Sequence, residues 1–254
     1  MLAFRYDNTF EGLLSAIFDA YIRKAFPKIL LAPEEIPPLT ATEIHTVATS
    51  RPKADRVFAG LCKRLTREGK NTVLLTFLAE EPEAATALFH YICKQFNAPP
   101  GISIEGDFSD KDVLAVDRTA KRVNAEVCHL LGFARFQKTA EDIFFSAVAP
   151  RHNILSLMLP HFMNRFSGHP WILYDLRRGF GFYHTNGTIS EMSLSGDLPA
   201  SGMLPAHLLA GDEKKIQSVW RQYLCAVTIT ERINPRLQAR CLPRRFWPHM
   251  TEMR

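Results

Sequence analysis

The chain has 254 residues, 46% hydrophobic and 22% charged, with five scattered cysteines and a net charge of +5. Such a length buries a full core as one large domain or two modest ones, and such a composition excludes a disordered or fibrous chain. No apolar run approaches the roughly 18–20 residues that cross a bilayer, and the start, Met1-Leu-Ala-Phe-Arg-Tyr-Asp7, lacks the basic and apolar stretches of a signal peptide. A cytoplasmic protein with no membrane partner is therefore expected.

In chain order, a short strand-like start leads to Asn8 and Glu11, which have the spacing of a helix-capping box. Phe10, Leu13, Leu14, Ile17, Phe18 and Tyr21 then repeat at helical period and stop near Lys24, before Pro27. Residues 27–50 are Pro-rich, with a strand predicted at Glu43–Ala48. Helices are predicted from Lys53 to Arg67, stopped by Gly69, then over Thr72–Glu80, then from Pro82 to Phe96 with a first-turn proline. The break Asn97-Ala-Pro-Pro-Gly101 marks a boundary between a mostly helical subdomain, 1–98, and an α+β domain, 99–254.

Beyond the break, Asp110 is positioned to cap a long helix whose inner face carries Val113, Val116, Ala120, Val123, Val127 and Leu130, with Gly132 at its end. Phe133–Lys138 and Ile143–Ala149 read as a hairpin, and Asn153–Arg165 as a helix. Trp171–Leu176, Phe180–His184 and Thr188–Leu194 form an antiparallel meander whose second turn is Asn186-Gly187, the strongest short hairpin signal. Ile216, Val219, Trp220, Tyr223, Leu224 and Val227 define a last long helix. Asn234-Pro235 starts a short one, to Cys241. The fold class is α+β, with a helical N-terminal part and a meander packed on long helices.

Charge is more informative by place than by total. Arg232, Arg236, Arg240, Arg244, Arg245 and Arg254, set against Glu252 alone, account for the whole net charge, so the first 231 residues balance. On a helix, Arg236 and Arg240 stand one turn apart, and Arg244-Arg245-Phe246-Trp247 follows. Guanidinium groups bind phosphates, and aromatic faces stack on unpaired bases, so Arg236, Arg240, Arg244, Arg245 and Trp247 are candidate nucleic-acid contacts. The alternative is that Phe246 and Trp247 dock the chain end on the core.

A second constellation is His161-Phe-Met-Asn-Arg165 with Asp175-Leu-Arg-Arg178. The pair His161 and Arg165 shares a helix face, and Asp175 points inward from its strand, where an unpaired carboxylate is costly. Arg165 or His161 is its expected partner. The four are candidate catalytic residues, a His–Asp base with phosphate clamps, or else a structural ion-pair network. Third, Glu126 and His129 are three apart on the long helix, but no second Glu-x-x-His partner occurs, so no metal is expected. Cys62, Cys93, Cys128, Cys225 and Cys241 form no C-x-x-C pair, and no Gly-rich phosphate loop, G-x-S-x-G or H-E-x-x-H is present, so no cofactor is expected.

Several of these motifs, in this order, resemble the bacterial "probable DNA metabolism protein" family, a domain of unknown function. They are Tyr6-Asp-Asn-Thr-Phe-Glu-Gly-Leu-Leu14, Gly132-Phe-Ala-Arg135-Phe136, His161-Phe-Met-Asn-Arg165, Trp171-Ile-Leu-Tyr-Asp175-Leu-Arg-Arg178, Trp220-Arg-Gln-Tyr223, Arg232-Ile-Asn-Pro-Arg236 through Arg240, and Pro243-Arg-Arg-Phe-Trp247. The resemblance spans essentially the whole chain. It departs at Asn8, where Gly is expected, and at Cys128, where relatives often carry His. It implies a companion role beside a radical-SAM protein of DNA modification or repair, and a similar domain is fused elsewhere to a uracil-DNA-glycosylase-like domain. The resulting expectation is a DNA-repair accessory that binds DNA and a radical-SAM partner. The competing readings are an enzyme acting on DNA or a damaged base, and a protein-interaction scaffold.

Overall fold

The computed structural model describes residues 1–99, 101–194 and 199–253. The chain divides into two compact units, Met1–Asn124 and Ala125–Arg254. The division falls inside a helix. The Pro-rich break, of which Pro100 lies outside the described residues, belongs to the first unit.

The first unit carries a three-stranded parallel sheet, with β1 (Leu2–Arg5) between β2 (Ile29–Leu31) and β3 (Glu43–Thr46). Parallel neighbours need a crossover, and α1 (Phe10–Arg23) supplies it between β1 and β2. Its cap corrects the sequence expectation. Asn8 takes the left-handed conformation at φ 61°, so the next residue caps, Thr9 Oγ1 accepting from the Gly12 N–H at 2.9 Å. A Cβ on Gly12 would lie 2.0 Å from Asp7 Oδ1, and that carboxylate in turn takes the Thr9 and Thr49 hydroxyls, both at 2.7 Å.

The two helices expected over 53–67 and 72–80 are both present, with shifted bounds. They are α2 (Arg51–Arg64) and α3 (Arg67–Phe77), parted because Thr66 caps the second through the Gly69 N–H, so Gly69 sits inside α3 and stops nothing. α4 (Pro82–Asn97) begins at its proline as predicted. Lys94 on α4 meets Asp110 and Asp112, both at 2.7 Å, at the start of α5 (Lys111–Phe133), where Asp110 also takes the Asp112 and Val113 N–H groups. Phe4, Leu13, Ile17, Leu61, Leu88, Phe89 and Ile92 fill one continuous core between sheet and helices.

The second unit is a five-stranded sheet in chain order: β4 (Gln137–Lys138), β5 (Phe144–Val148), β6 (Trp171–Asp175), β7 (Phe180–Thr185) and β8 (Thr188–Met192). The predicted hairpin β4–β5 and the meander β6–β7–β8 are antiparallel. The pair β5–β6 is parallel, joined through α6 (Leu155–Arg165), so a βαβ unit lies at the centre of the sheet. Asn186 and Gly187 turn the last hairpin with φ of 50° and 77°, the double positive φ their dipeptide signals. Trp171 is completely buried and stacks across the strand on His184 at 5.1 Å. Gly181 is required by close packing, since a Cβ there would lie 2.6 Å from the Leu173 carbonyl oxygen.

Beyond the sheet come α7 (Glu213–Val227) and α8 (Pro235–Cys241), the latter capped by Asn234 through the Leu237 N–H at 3.0 Å. Both are little covered, as is the segment between them: Ile216, Val219, Tyr223 and Val227 of α7, Ile229 and Ile233 of the link and Leu237 of α8 are exposed. In the last described segment the chain folds back onto the unit in two 3-10 turns, Arg244–His249 and Thr251–Met253. Arg254, part of the basic tail, lies outside the described residues. No helix among the described residues is long and apolar enough to cross a membrane.

Candidate nucleic-acid interface

Val148 and Asp175 are partners at the C-terminal ends of the parallel strands β5 and β6. The loop into α6 and the turn into β7 both leave from this edge, the usual ligand edge of a parallel pair. Two buried carboxylates organise it.

Glu126 stands on α5 between the buried Val123 and Leu130, and its side chain is only 1% exposed. Its Oε1 accepts the Arg151 N–H at 3.0 Å and the Arg245 guanidinium at 3.0 Å. The other oxygen, Oε2, accepts the His152 N–H at 3.0 Å and lies 2.6 Å from His152 Nδ1. Burial alone would raise this carboxyl. The His152 ring and the two backbone N–H groups outweigh it and hold the pKa at about 2. Against a carboxylate, Nδ1 is the donor.

Asp175 is fully buried. Its Oδ1 accepts the N–H groups of Arg177 and Arg178 at 2.8 and 3.1 Å, and its Oδ2 accepts Arg178 Nη1 at 2.9 Å. From the same turn Arg177 Nη1 and Arg178 Nη2 donate to the Arg151 carbonyl at 2.8 and 3.1 Å. The loop 150–152 is thus held on both sides, its N–H groups by Glu126 and its carbonyls by arginines.

Two pairings differ from expectation. Asp175 takes Arg178, three residues on, instead of Arg165 or His161, because the turn folds back over its own strand end. Glu126 takes His152, while His129 stacks on Phe133 with centroids 5.6 Å apart. The signal for Glu126 was its place on the apolar face of α5, where a carboxylate demands a partner. The sequence did not name that partner, because the two residues are 26 positions apart. Among the described residues no group of three or more His, Cys, Asp or Glu is arranged to hold a metal ion.

The tail has two parts. In the docked part, Phe246 is buried and its ring lies 5.6 Å from Phe133 and 6.0 Å from His129, while Trp247 Nε1 donates to the Leu242 carbonyl at 2.9 Å. Arg244 lies over Trp247 at 5.6 Å and Arg245 over Phe246 at 4.7 Å. Farther on, Glu252 Oε1 accepts from Arg135 Nη2 and Nε, at 2.6 and 3.0 Å. Burial alone would raise the Glu252 carboxyl, and Arg135 holds it below its ordinary value. In the other part, α8 is in solvent with Arg236 and Arg240 exposed.

Arg151, Arg177, Arg244 and Arg245 are also exposed residues. With Arg178, they are five arginines against two carboxylates that lie beneath the surface. Such an edge has a positive outer face on a rigid backbone and suits phosphate groups. The four candidate catalytic residues do not converge. α6 runs opposite to the strands it connects, so its C-terminal Arg165 lies at the other end of β5 and β6 from Asp175 and Arg178. Arg165 sits over the ring of Phe166, which in turn meets Phe144. His161 is exposed on α6, edge-on to Phe162 at 5.1 Å.

A family model described as a domain of unknown function, DUF4130, matches residues 82–252. Neither the curated proteins nor the solved structures yield a match.

Proposed function

The chain belongs to that domain-of-unknown-function family, and on this premise we propose that it is a DNA-metabolism accessory that binds nucleic acid through the arginine edge and tail, and acts with a radical-SAM partner. The observation that carries the reading is the pinned loop 150–152, which holds exposed guanidinium groups over carboxylates buried below them. Preformed positive edges bind polyanions with little ordering cost. Support for a partner comes from α7, whose exposed apolar residues give a second protein a surface to cover.

Fluorescence anisotropy with a labelled DNA across a salt series tests the first half. If about four arginines reach phosphates, log K falls with log salt at a slope near −3 to −4. The variant Arg236/Arg240/Arg244/Arg245→Ala is expected to flatten that slope and weaken binding. Equal affinity for both proteins would overturn the reading. Co-purification with the radical-SAM partner, with and without Val219→Glu and Tyr223→Glu on α7, tests the second half.

A further inference from the structure

At the opposite end of β5 from the arginine edge, the second unit carries a cavity of about 500 Å³ that is open to solvent on one side. We infer that this cavity is a nucleotide site, taking a planar base among aromatic rings with its phosphate on Arg165. The volume is in the range of small-molecule pockets.

Four phenylalanines and one tryptophan form the walls: Phe136, Phe144, Phe162, Phe166 and Trp220. Phe166 sits at the centre of the set, its ring 4.6 Å from Phe136 and 5.3 Å from Phe144. Aromatic faces at such a wall stack on any nucleobase.

The cations at the lip are not equivalent. Arg135 is engaged by Glu252 and Lys138 by Asp142 at 2.6 Å. Arg165 meets no carboxylate within ion-pairing distance among the described residues, and it lies over the face of Phe166 at 6.0 Å. An exposed guanidinium with no counter-charge beside an aromatic cavity selects a flat ligand that carries an anion. One polar group inside has capacity left for a base edge. Gln217 donates its amide N–H to the buried Glu213 carboxylate at 2.7 Å, which leaves its carbonyl oxygen as an acceptor for an exocyclic amine. Glu213 itself accepts this amide and the Lys138 N–H at 3.1 Å, which fixes the Gln217 side chain in place.

The same chemistry is offered by a free nucleotide and by a base unstacked from a single strand. Trp220 supplies the readout, because it lines the cavity while Trp171 is completely buried. The full-length protein is titrated separately with the four deoxynucleoside monophosphates, with deoxyribose 5-phosphate, and with a single-stranded hexamer, following tryptophan emission. Trp220→Phe identifies the signal, and calorimetry serves as the second measurement. A saturable response to a monophosphate, absent with the sugar phosphate and weakened roughly tenfold by Arg165→Met, supports a free-nucleotide site. A response to the hexamer alone, weakened equally by Arg165→Met and by Phe166→Leu, supports an unstacked base. No saturable response to any of these ligands, or affinities that Arg165→Met leaves unchanged, would overturn the inference. Binding of the hexamer that depends on the tail arginines but not on Arg165 would overturn the cavity while leaving the accessory reading in place, and the reverse pattern would do the opposite.

Discussion

The two compact units handle charge in different ways. Met1–Asn124 contains 16 basic and 16 acidic residues, while Ala125–Arg254 contains 15 basic and 10 acidic. In the first unit the charges close on one another, as Lys94 does on Asp110 and Asp112, and as Lys53 and His45 do on Asp19 at 2.8 and 3.1 Å. Burial would raise the Asp19 carboxyl, but those two donors hold it below its ordinary value. In the second unit Glu126, Asp175 and Glu213 go inward to hold backbone N–H groups, and Arg151, Arg177, Arg244 and Arg245 are left outside. The difference teaches that a positive surface need not come from many basic residues. It also arises when the acids are buried beneath them.

The sharpest way to break this comparison is to remove a buried carboxylate. Glu126→Ala leaves His152, Arg245 and two backbone N–H groups without their acceptor and is expected to cost about 3 kcal/mol or more, read by urea denaturation. A cost below about 1 kcal/mol, the level of a surface pair, would mean that Glu126 does not organise the edge. The first unit offers the contrasting case. Leu88→Ala, in its apolar core, is expected to cost about 3 kcal/mol as well, but to leave DNA affinity unchanged once the fold is saturated at low temperature.

Acid sharpens the same point. The Glu126 pKa is depressed to about 2, so its contribution is fully present above the ordinary glutamate range near 4.5 and disappears as pH falls from there toward 2. Wild type is expected to lose stability through that window more steeply than Glu126→Gln. Parallel pH profiles would show that the carboxylate is not the linked group. A smaller effect is expected from Arg177→Ala, which should lower the salt slope of DNA binding by about 1. The smallest comes from the first unit: Lys63→Ala with Lys70→Ala, both exposed, should change that affinity by less than about twofold. An effect equal to that of Arg177→Ala would erase the distinction between the units.

Helices with clear period and caps were legible in the sequence. α4 begins at its proline, Asp110 heads α5, and Asn234 caps α8. β2 was not, because Ile29–Leu31 is three apolar residues without alternation, between Pro27 and Pro33. The parallel pairings β1–β2, β1–β3 and β5–β6 were not legible either, since no short turn marks them and a period of two reads the same in parallel and antiparallel neighbours. The site was half legible. Burial of Asp175 and the place of Glu126 on an apolar face follow from periodicity, but their partners depend on how a turn folds back and on a loop 26 residues away.

The clasp between Arg135 and Glu252 joins residues 117 positions apart. Bringing such distant segments together is entropically demanding before any contact stabilises them. Closure of this unit is therefore expected to be its late folding event, with the sheet assembled first and the cavity wall at Thr251 added last. Refolding followed at Trp171 should then run ahead of refolding followed at Trp220, so that the order of assembly is written in two indole signals of one chain.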